Sequence, residues 1–128
     1  MNTNTVLLVM ALIGVAPPAL AGALDECMSK GDHAAITQCL LQEESATEAS
    51  LRQAEAAAGN KVRGLDKVTG NGEPRAAFDR SVVAFKQYRD AQCNFVKSMY
   101  GSGTGAGQAL VACRIDLTRR RIRELLNP

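Results

Sequence analysis

The sequence predicts an all-α protein: a small, disulfide-stapled bundle of three to four helices arranged as helical hairpins. No segment alternates apolar and polar residues over a useful length, as a half-buried strand would. Apolar residues recur instead at spacings of three, four and seven, which is typical of helices that pack along one face. The chain also holds four cysteines in 128 residues, an even number that suits a disulfide framework in a small exported domain.

The N-terminal segment resembles a secretory signal peptide. An apolar run, VLLVMALIGVA, is followed by two prolines and by Ala-Leu-Ala ending at Ala21. Signal peptidase accepts small residues in this arrangement, so we expect removal of residues 1–21, with cleavage after Ala23 as the alternative. A membrane-spanning helix needs about 20 apolar residues, and the prolines end this run sooner. No cysteine adjoins the cleavage site, so we expect residues 22–128 to form a single periplasmic or secreted domain without a membrane anchor.

Two helices are predicted in the first half of the mature chain. A short one runs from about Leu24 to Lys30 and stops at Gly31, and Asp32 then provides a good N-cap for a long second helix. Gly59-Asn60 predicts a kink or a break in that helix. The turn-rich run KVTGNGEP, residues 67–74, predicts a loop after it. The expected inward face of the second helix consists of Ile36, Leu40, Thr47, Leu51, Ala54, Ala58, Val62 and Leu65.

Two further helices are predicted in the second half. Pro74 suits the first turn of a third helix that lasts to about Tyr100. Its expected apolar stripe consists of Phe78, Val82, Phe85, Tyr88, Phe95 and Met99. A fourth helix is predicted from about Gln108 to Leu126. Its expected inward residues are Leu110, Cys113, Leu117, Ile122 and Leu125.

The glycine-rich run GSGTGAG, residues 101–107, separates the third and fourth helices. A phosphate-binding loop would follow a strand and end in Lys-Ser or Lys-Thr, whereas this run follows a helix and precedes Gln108-Ala109. Ser102 lacks the Gly-x-Ser-x-Gly frame of a nucleophile elbow. We therefore interpret the run as a flexible turn between two antiparallel helices.

The cysteine spacing predicts how two of these helices are joined. Cys93 lies seven residues before Tyr100, and Cys113 lies six residues after Gly107. At about 1.5 Å per residue the two thiols stand level on antiparallel helices, and a disulfide requires Cα atoms about 4.4–6.8 Å apart. Cys27 and Cys39 flank the break at Gly31. Of the three possible pairings, we favour 27–39 with 93–113. The close Cys-x2-4-Cys spacing of zinc sites is missing, so we expect no metal and no cofactor.

Residues in the second half carry a family resemblance. Phe85, Tyr88-Arg89-Asp90 and Cys93 precede the turn Tyr100-Gly101-Ser102-Gly103, and Cys113 precedes Thr118, Arg121 and Leu125. This pattern, together with the N-terminal cysteine pair, resembles the LprI-type lysozyme inhibitor family. Phe85 stands where that family usually has Trp, and the lipoprotein signal of some members is missing. The resemblance implies a small exported helical domain that binds a lysozyme-type peptidoglycan hydrolase.

The charged motifs have simpler interpretations beside the functional ones. In Tyr88-Arg89-Asp90 we expect the ring to pack in the core and the charges to pair at the surface, with Lys86 and Asp90 spaced for an ion pair. The RRRIRE segment, residues 119–124, reads as a solvated face whose cations complement the helix dipole. His33, the sole histidine, reads as an exposed first-turn residue. With no catalytic constellation, we expect no enzyme; export and a net charge of +2 argue against nucleic acid.

Charge asymmetry provides the remaining clue to a partner. From Asp25 to Ala58 seven acids face two bases, a balance of −5, while five arginines and two acids from Gln108 onward give +3. A cationic hydrolase could be steered to the acidic helix, although ordinary surface patterning is the simpler explanation of this asymmetry. The candidate contact residues are Glu43, Glu44 and Glu48, or Ser102 and Thr104 in the glycine loop. Immunity against an injected wall-degrading toxin and a structural envelope role are the alternatives to inhibition.

Overall fold

A computed structural model describes residues 22–128, so the expected signal peptide lies outside the described residues. The described chain forms four helices: α1 (Ala23–Met28), α2 (His33–Thr69), α3 (Glu73–Met99) and α4 (Ala106–Leu126). No strand occurs between residues 22 and 128. The predicted all-α, disulfide-stapled bundle is confirmed. None of the helices in this part of the chain is both long and apolar enough to cross a membrane.

The long helix α2 begins where the sequence predicts but ends later. The Asp32 side chain accepts a hydrogen bond from the Ala35 amide at 2.9 Å and so caps the helix. The predicted break at Gly59-Asn60 is wrong, because α2 continues through both residues. Gly59 is buried where α2 meets the Phe78 ring of α3, and a β-carbon there would lie at an ordinary contact distance of 3.4 Å from that ring. The helix ends only at Gly70, whose φ of 65° is left-handed, and the connecting loop is therefore shorter than predicted.

The disulfide pairing predicted from the spacing is confirmed. Cys27 and Cys39 have Cα atoms 5.7 Å apart, and the Cα atoms of Cys93 and Cys113 are 5.5 Å apart. Cys27 and Cys93 are fully buried. The first bridge fastens α1 to α2, and the second fastens α3 to α4. By restricting the unfolded chain, each bridge contributes stability on the order of 3 kcal/mol.

Helix α4 lies between its longer neighbours, against both α2 and α3, while α1 packs on α2 and α4. The predicted inward residues of α4 are only half-buried. Smaller side chains occupy the centre of the contact because they allow the helix axes to approach closely. The buried face of α4 consists of Ala106, Ala109, Ala112, Ile115 and Thr118.

The predicted apolar stripe of α3 is also partly wrong. Tyr88, Phe95 and Met99 are 53%, 58% and 71% exposed, whereas Cys93 is the buried residue of this helix. Phe78, Val82 and Phe85 are half-buried. The side of α3 that faces the bundle is occupied instead by the disulfide and by the side chain of Arg89. On α2, Leu65 is likewise exposed and not part of the core.

The main apolar cluster lies near the N-terminal end of the domain, where α1, α2 and α4 meet. It consists of Ala23, Cys27, Leu40, Ala112 and Ile115. Hydrogen bonds reinforce this end: the Ala23 amide donates to Asp116 Oδ1 at 2.9 Å, and Gln108 Nε2 donates to the His33 carbonyl at 3.0 Å. The short helix α1 is thus fixed by a disulfide, by apolar contact and by a hydrogen bond.

Neighbouring leucines of α2 provide a test of this packing. We expect Leu40→Ala to lower the free energy of unfolding by about 3 kcal/mol, because it opens a cavity among tightly packed small residues. Leu41→Ala, at an exposed position, should change it by less than about 0.5 kcal/mol. Urea unfolding followed by circular dichroism measures both. Similar losses for the two variants would show that Leu40 does not belong to the core.

Candidate functional site

Four residues of the sequence motif converge in space between the three long helices. Phe85 and Arg89 extend from α3, and Thr118 and Arg121 extend from α4 to meet them. Arg89 Nη1 donates to Thr118 Oγ1 at 2.7 Å and to Glu48 Oε1 of α2. The Arg89 side chain is only 12% exposed. We call these five residues, Glu48 included, the motif cluster.

The aromatic ring of the motif cluster lies against two cations. The guanidinium carbons of Arg89 and Arg121 are 5.5 Å and 5.7 Å from the centroid of the Phe85 ring. At these distances the ring quadrupole attracts each cation. Arg121 Nη2 also donates to Ser81 Oγ at 2.8 Å. The motif cluster therefore joins α2, α3 and α4 through charge and hydrogen bonding, and its geometry indicates an architectural role.

The expectation for Tyr88-Arg89-Asp90 is wrong in its orientation. The Tyr88 ring is exposed, and the buried member of the trio is Arg89. Asp90 contacts Arg114 of α4 at 3.3 Å and does not take part in the expected pair with Lys86. The hydrogen-bonding capacity of Arg89 explains this orientation, because an arginine can reach partners on two neighbouring helices where a tyrosine ring cannot.

The candidate carboxylates of α2 are engaged by arginines of the same chain. Glu43 accepts from Arg119 at 3.1 Å, and Glu44 lies 3.8 Å from Arg114. Glu48 belongs to the motif cluster. The acidic and basic halves of the sequence therefore face each other within the fold, and the interpretation of residues 119–124 as a purely solvated face is wrong. Pairs at partly exposed positions are individually worth about 0–1 kcal/mol.

Arg119 is the most highly connected of these cations. Its Nη1 also donates to Glu26 Oε2 at 2.9 Å, which joins α1 and α2 to α4. Partial burial opposes the charge, yet the hydrogen bonds and negative charges of Glu26 and Glu43 raise the pKa of Arg119 above the ordinary arginine value. Its charge is therefore constant throughout the physiological pH range.

The glycine loop reverses the chain between α3 and α4 and presents its polar residues to solvent. Gly101 has a φ of 59°, a left-handed conformation that favours glycine. A β-carbon at Gly103 would lie 3.1 Å from the Tyr100 carbonyl. Ser102 and Thr104 are exposed, as expected for residues that could contact a partner. The loop thus exposes polar side chains on a turn whose backbone conformation depends on glycine.

Cavities in the described region are small or widely open. One of about 140 Å³ lies beside the glycine loop, between Thr37, Thr104 and Gln108. A larger one, about 500 Å³, is an open groove between α2 and α3 at Gly59, Arg63 and Phe78. Among residues 22–128, no three His, Cys, Asp or Glu side chains are grouped to hold a metal ion. The exposed hydroxyls of the loop and the surface of α3 are therefore more prominent than any pocket.

Sequence reasoning missed one surface feature. Five small or apolar residues of α3, spaced by four, three, four and four, lie on one exposed face and form what we call the α3 stripe: Ala84, Tyr88, Ala91, Phe95 and Met99. Their spacing was visible in the sequence, but it predicts a buried face as readily as an exposed one. Leu125, the last residue of the motif, is half-buried near the end of α4.

Replacement of Arg89 tests the motif cluster. We expect Arg89→Met to lower the free energy of unfolding by about 2 kcal/mol, because Glu48 and Thr118 lose a charged hydrogen-bond partner. Arg80→Met is the matched control, since its ion pair with Glu73 is exposed and worth little. Chemical unfolding in urea compares the two variants. Equal losses would remove the architectural role assigned to Arg89.

A family model described as "Lysozyme inhibitor LprI" matches residues 25–125, a range that reaches from α1 to the end of α4 and contains both disulfides and the whole motif cluster. No curated protein and no solved structure matches the chain.

Proposed function

The chain belongs to the lysozyme inhibitor LprI family, and from this premise we propose that it binds a lysozyme-type peptidoglycan hydrolase and inhibits it. The observation that carries the proposal is the extent of the family match, which begins within α1 and ends one residue before the end of α4. Within that range the cysteines pair and the motif residues Phe85, Arg89, Thr118 and Arg121 meet. Both disulfides and these motif residues thus lie within the range that the family model matches.

The proposed inhibitor acts by binding and not by catalysis. Two disulfides and the motif cluster hold the helices in a fixed arrangement before any partner arrives. A surface that is already ordered loses little conformational entropy on association, so more of the contact energy contributes to affinity. This proposal requires no cofactor and no metal.

We place the contact with the hydrolase at the glycine loop. Ser102 and Thr104 are exposed at the end of the α3–α4 hairpin, where they can enter a cleft without a change in the fold. The carboxylates of Glu43, Glu44 and Glu48 form the other candidate surface. A cationic partner would have to compete with Arg119, Arg114 and Arg89 for them, which makes this second surface the weaker choice.

Disulfides and family membership indicate a location outside the cytoplasm, and we propose that the mature protein is periplasmic or secreted. The surroundings of Ala23 support cleavage after Ala21. Ala23 is fully buried and its amide donates to Asp116, so cleavage after Ala23 would remove a residue of the core. Cleavage after Ala21 leaves Gly22 as the first residue and preserves both contacts.

A lysis assay tests the inhibitory function and the contact site together. We expect the oxidised protein to inhibit at least one lysozyme type at a near-stoichiometric dose, and to lose this activity on reduction. The double variant Ser102→Arg/Thr104→Arg should need at least a tenfold higher dose, because two long cationic side chains crowd the contact and repel a cationic hydrolase. Gln53→Arg/Ala57→Arg adds the same charge at exposed α2 positions and should inhibit normally.

Replacement of Glu43, Glu44 and Glu48 by Gln provides the opposing comparison. We expect unchanged potency in this triple variant after correction for its lower stability. Lost potency there with a fully active loop variant would transfer the contact to α2. Absence of inhibition against every lysozyme type would remove the inhibitory function itself.

The processing site has a separate test. Protein recovered from the periplasm or the culture medium should begin at Gly22, because cleavage there keeps Ala23 in the core. Intact-mass measurement and N-terminal sequencing determine the first residue. A mature chain that begins at Leu24 would contradict the proposed site.

A further inference from the structure

The α3 stripe is an exposed apolar surface that does not contribute to the core of the bundle. Tyr88, Phe95 and Met99 are each more than half exposed, and the alanines between them, Ala84 and Ala91, are exposed as well. Contiguous exposed apolar surface on a small protein marks an interaction site. We propose that the α3 stripe is the interface of a two-fold symmetric homodimer, in which the α3 helices of two copies pack antiparallel.

The order of residues along the α3 stripe is self-complementary. A two-fold axis that passes between positions 91 and 92 brings Tyr88 of one copy opposite Phe95 of the other. The same axis brings Ala84 opposite Met99, because both pairs lie symmetrically about that point. Every contact then occurs twice, as an isologous interface requires.

The sizes of the paired side chains also fit. The long Met99 side chain faces the small Ala84, and Tyr88 faces Phe95, a combination that aromatic rings favour when offset or edge to face. Ala91 lies at the crossing point, where a small residue allows the helix axes to approach to about 8–10 Å. Large and small residues therefore alternate across the proposed contact.

Charge distribution favours a second copy over a charged partner. Four charged residues lie between Ala84 and Met99. Arg89 is buried in the motif cluster, and at about 100° per residue the other three lie on the opposite side of α3 from the stripe. The rim of the stripe is formed by uncharged polar side chains: Gln87, Gln92, Asn94 and Ser98. Two copies can thus meet without like-charge repulsion, whereas a cationic hydrolase would find no complementary charge here.

The dimer should be weak and should bring each glycine loop close to α3 of the other copy. A stable interface buries about 800 Å² per partner, and here a single helix face forms the contact, so we expect a dissociation constant in roughly the micromolar range. Because the helices are antiparallel, the two glycine loops lie at opposite ends of the pair. In this register residues 101–104 of one copy lie beside residues 79–82 of the other. The existence of the dimer does not depend on the inhibitory function.

Charge exchange across the interface tests the proposed register. Sedimentation equilibrium of the oxidised protein should show a monomer–dimer equilibrium, and Tyr88→Lys or Phe95→Glu alone should weaken dimerisation at least tenfold. The double variant Tyr88→Lys/Phe95→Glu should recover dimerisation to within about threefold of the wild type. In that variant the introduced lysine of each copy faces the introduced glutamate of the other. Within one chain the two positions are two helical turns apart and do not meet.

The matched control is Val68→Lys, which charges an 86%-exposed apolar residue of α2 away from the stripe; it should dimerise normally. Circular dichroism establishes that each variant is folded. A wild type that stays monomeric at millimolar concentration, or a double variant that dimerises no better than the single ones, overturns the proposal. Lysozyme inhibition measured on the same variants separates the two proposals. If the wild type is monomeric and substitutions in the stripe abolish its inhibition of lysozyme, the stripe is the hydrolase surface and the homodimer is overturned. If the wild type dimerises but inhibits no lysozyme, the dimer is supported and the proposed function is refuted.

Discussion

The guanidinium of Arg89 joins the three long helices at one point. It extends from α3 to Glu48 on α2 and to Thr118 on α4, while the Phe85 ring lies against its charge. Such a link places strict demands on the register of the helices, because a shift of one residue in any of them separates the partners. A fold with few aromatic side chains and many buried alanines has little apolar shape to define that register. The polar contacts of Arg89 therefore fix a helix register that apolar packing alone would leave poorly defined.

The disulfides complement this polar link. Cys93–Cys113 holds α3 to α4 one helical turn from Arg89, and Cys27–Cys39 fixes α1 over the small apolar cluster. Arg119 repeats the polar strategy at the α1 end through Glu26 and Glu43. A domain of about a hundred residues can bury only a modest core. The covalent and charged links therefore help this domain to keep its shape. Because these links hold the helices together, aromatic side chains can lie on the surface and are not all needed in the core.

The sequence predicts correctly those structural features that depend on residues close together along the chain. The Asp32 cap, the helix-to-helix turn at the glycines and the disulfide pairing all follow from local spacing, and the structure agrees with them. The faces of α3 and α4 could not be predicted in the same way. An apolar period identifies a face but not its environment, so Tyr88 was assigned to the core and Arg89 to the surface. The ion pairs of Glu43 and Glu44 depend on the relative heights of separate helices, which no single-helix pattern contains.

The family motif divides into two sets with different physical roles. Phe85, Arg89, Thr118 and Arg121 are turned into the bundle, where their contacts hold three helices together. Tyr88 and the turn Tyr100–Gly103 face solvent and contribute little to that framework. The buried set therefore belongs to the scaffold, because its contacts depend on the alignment of the three helices. The side chains of the exposed set can change without disturbing Arg89. Membership of the family consequently defines the shape of this protein more closely than it defines the surface that a partner would contact.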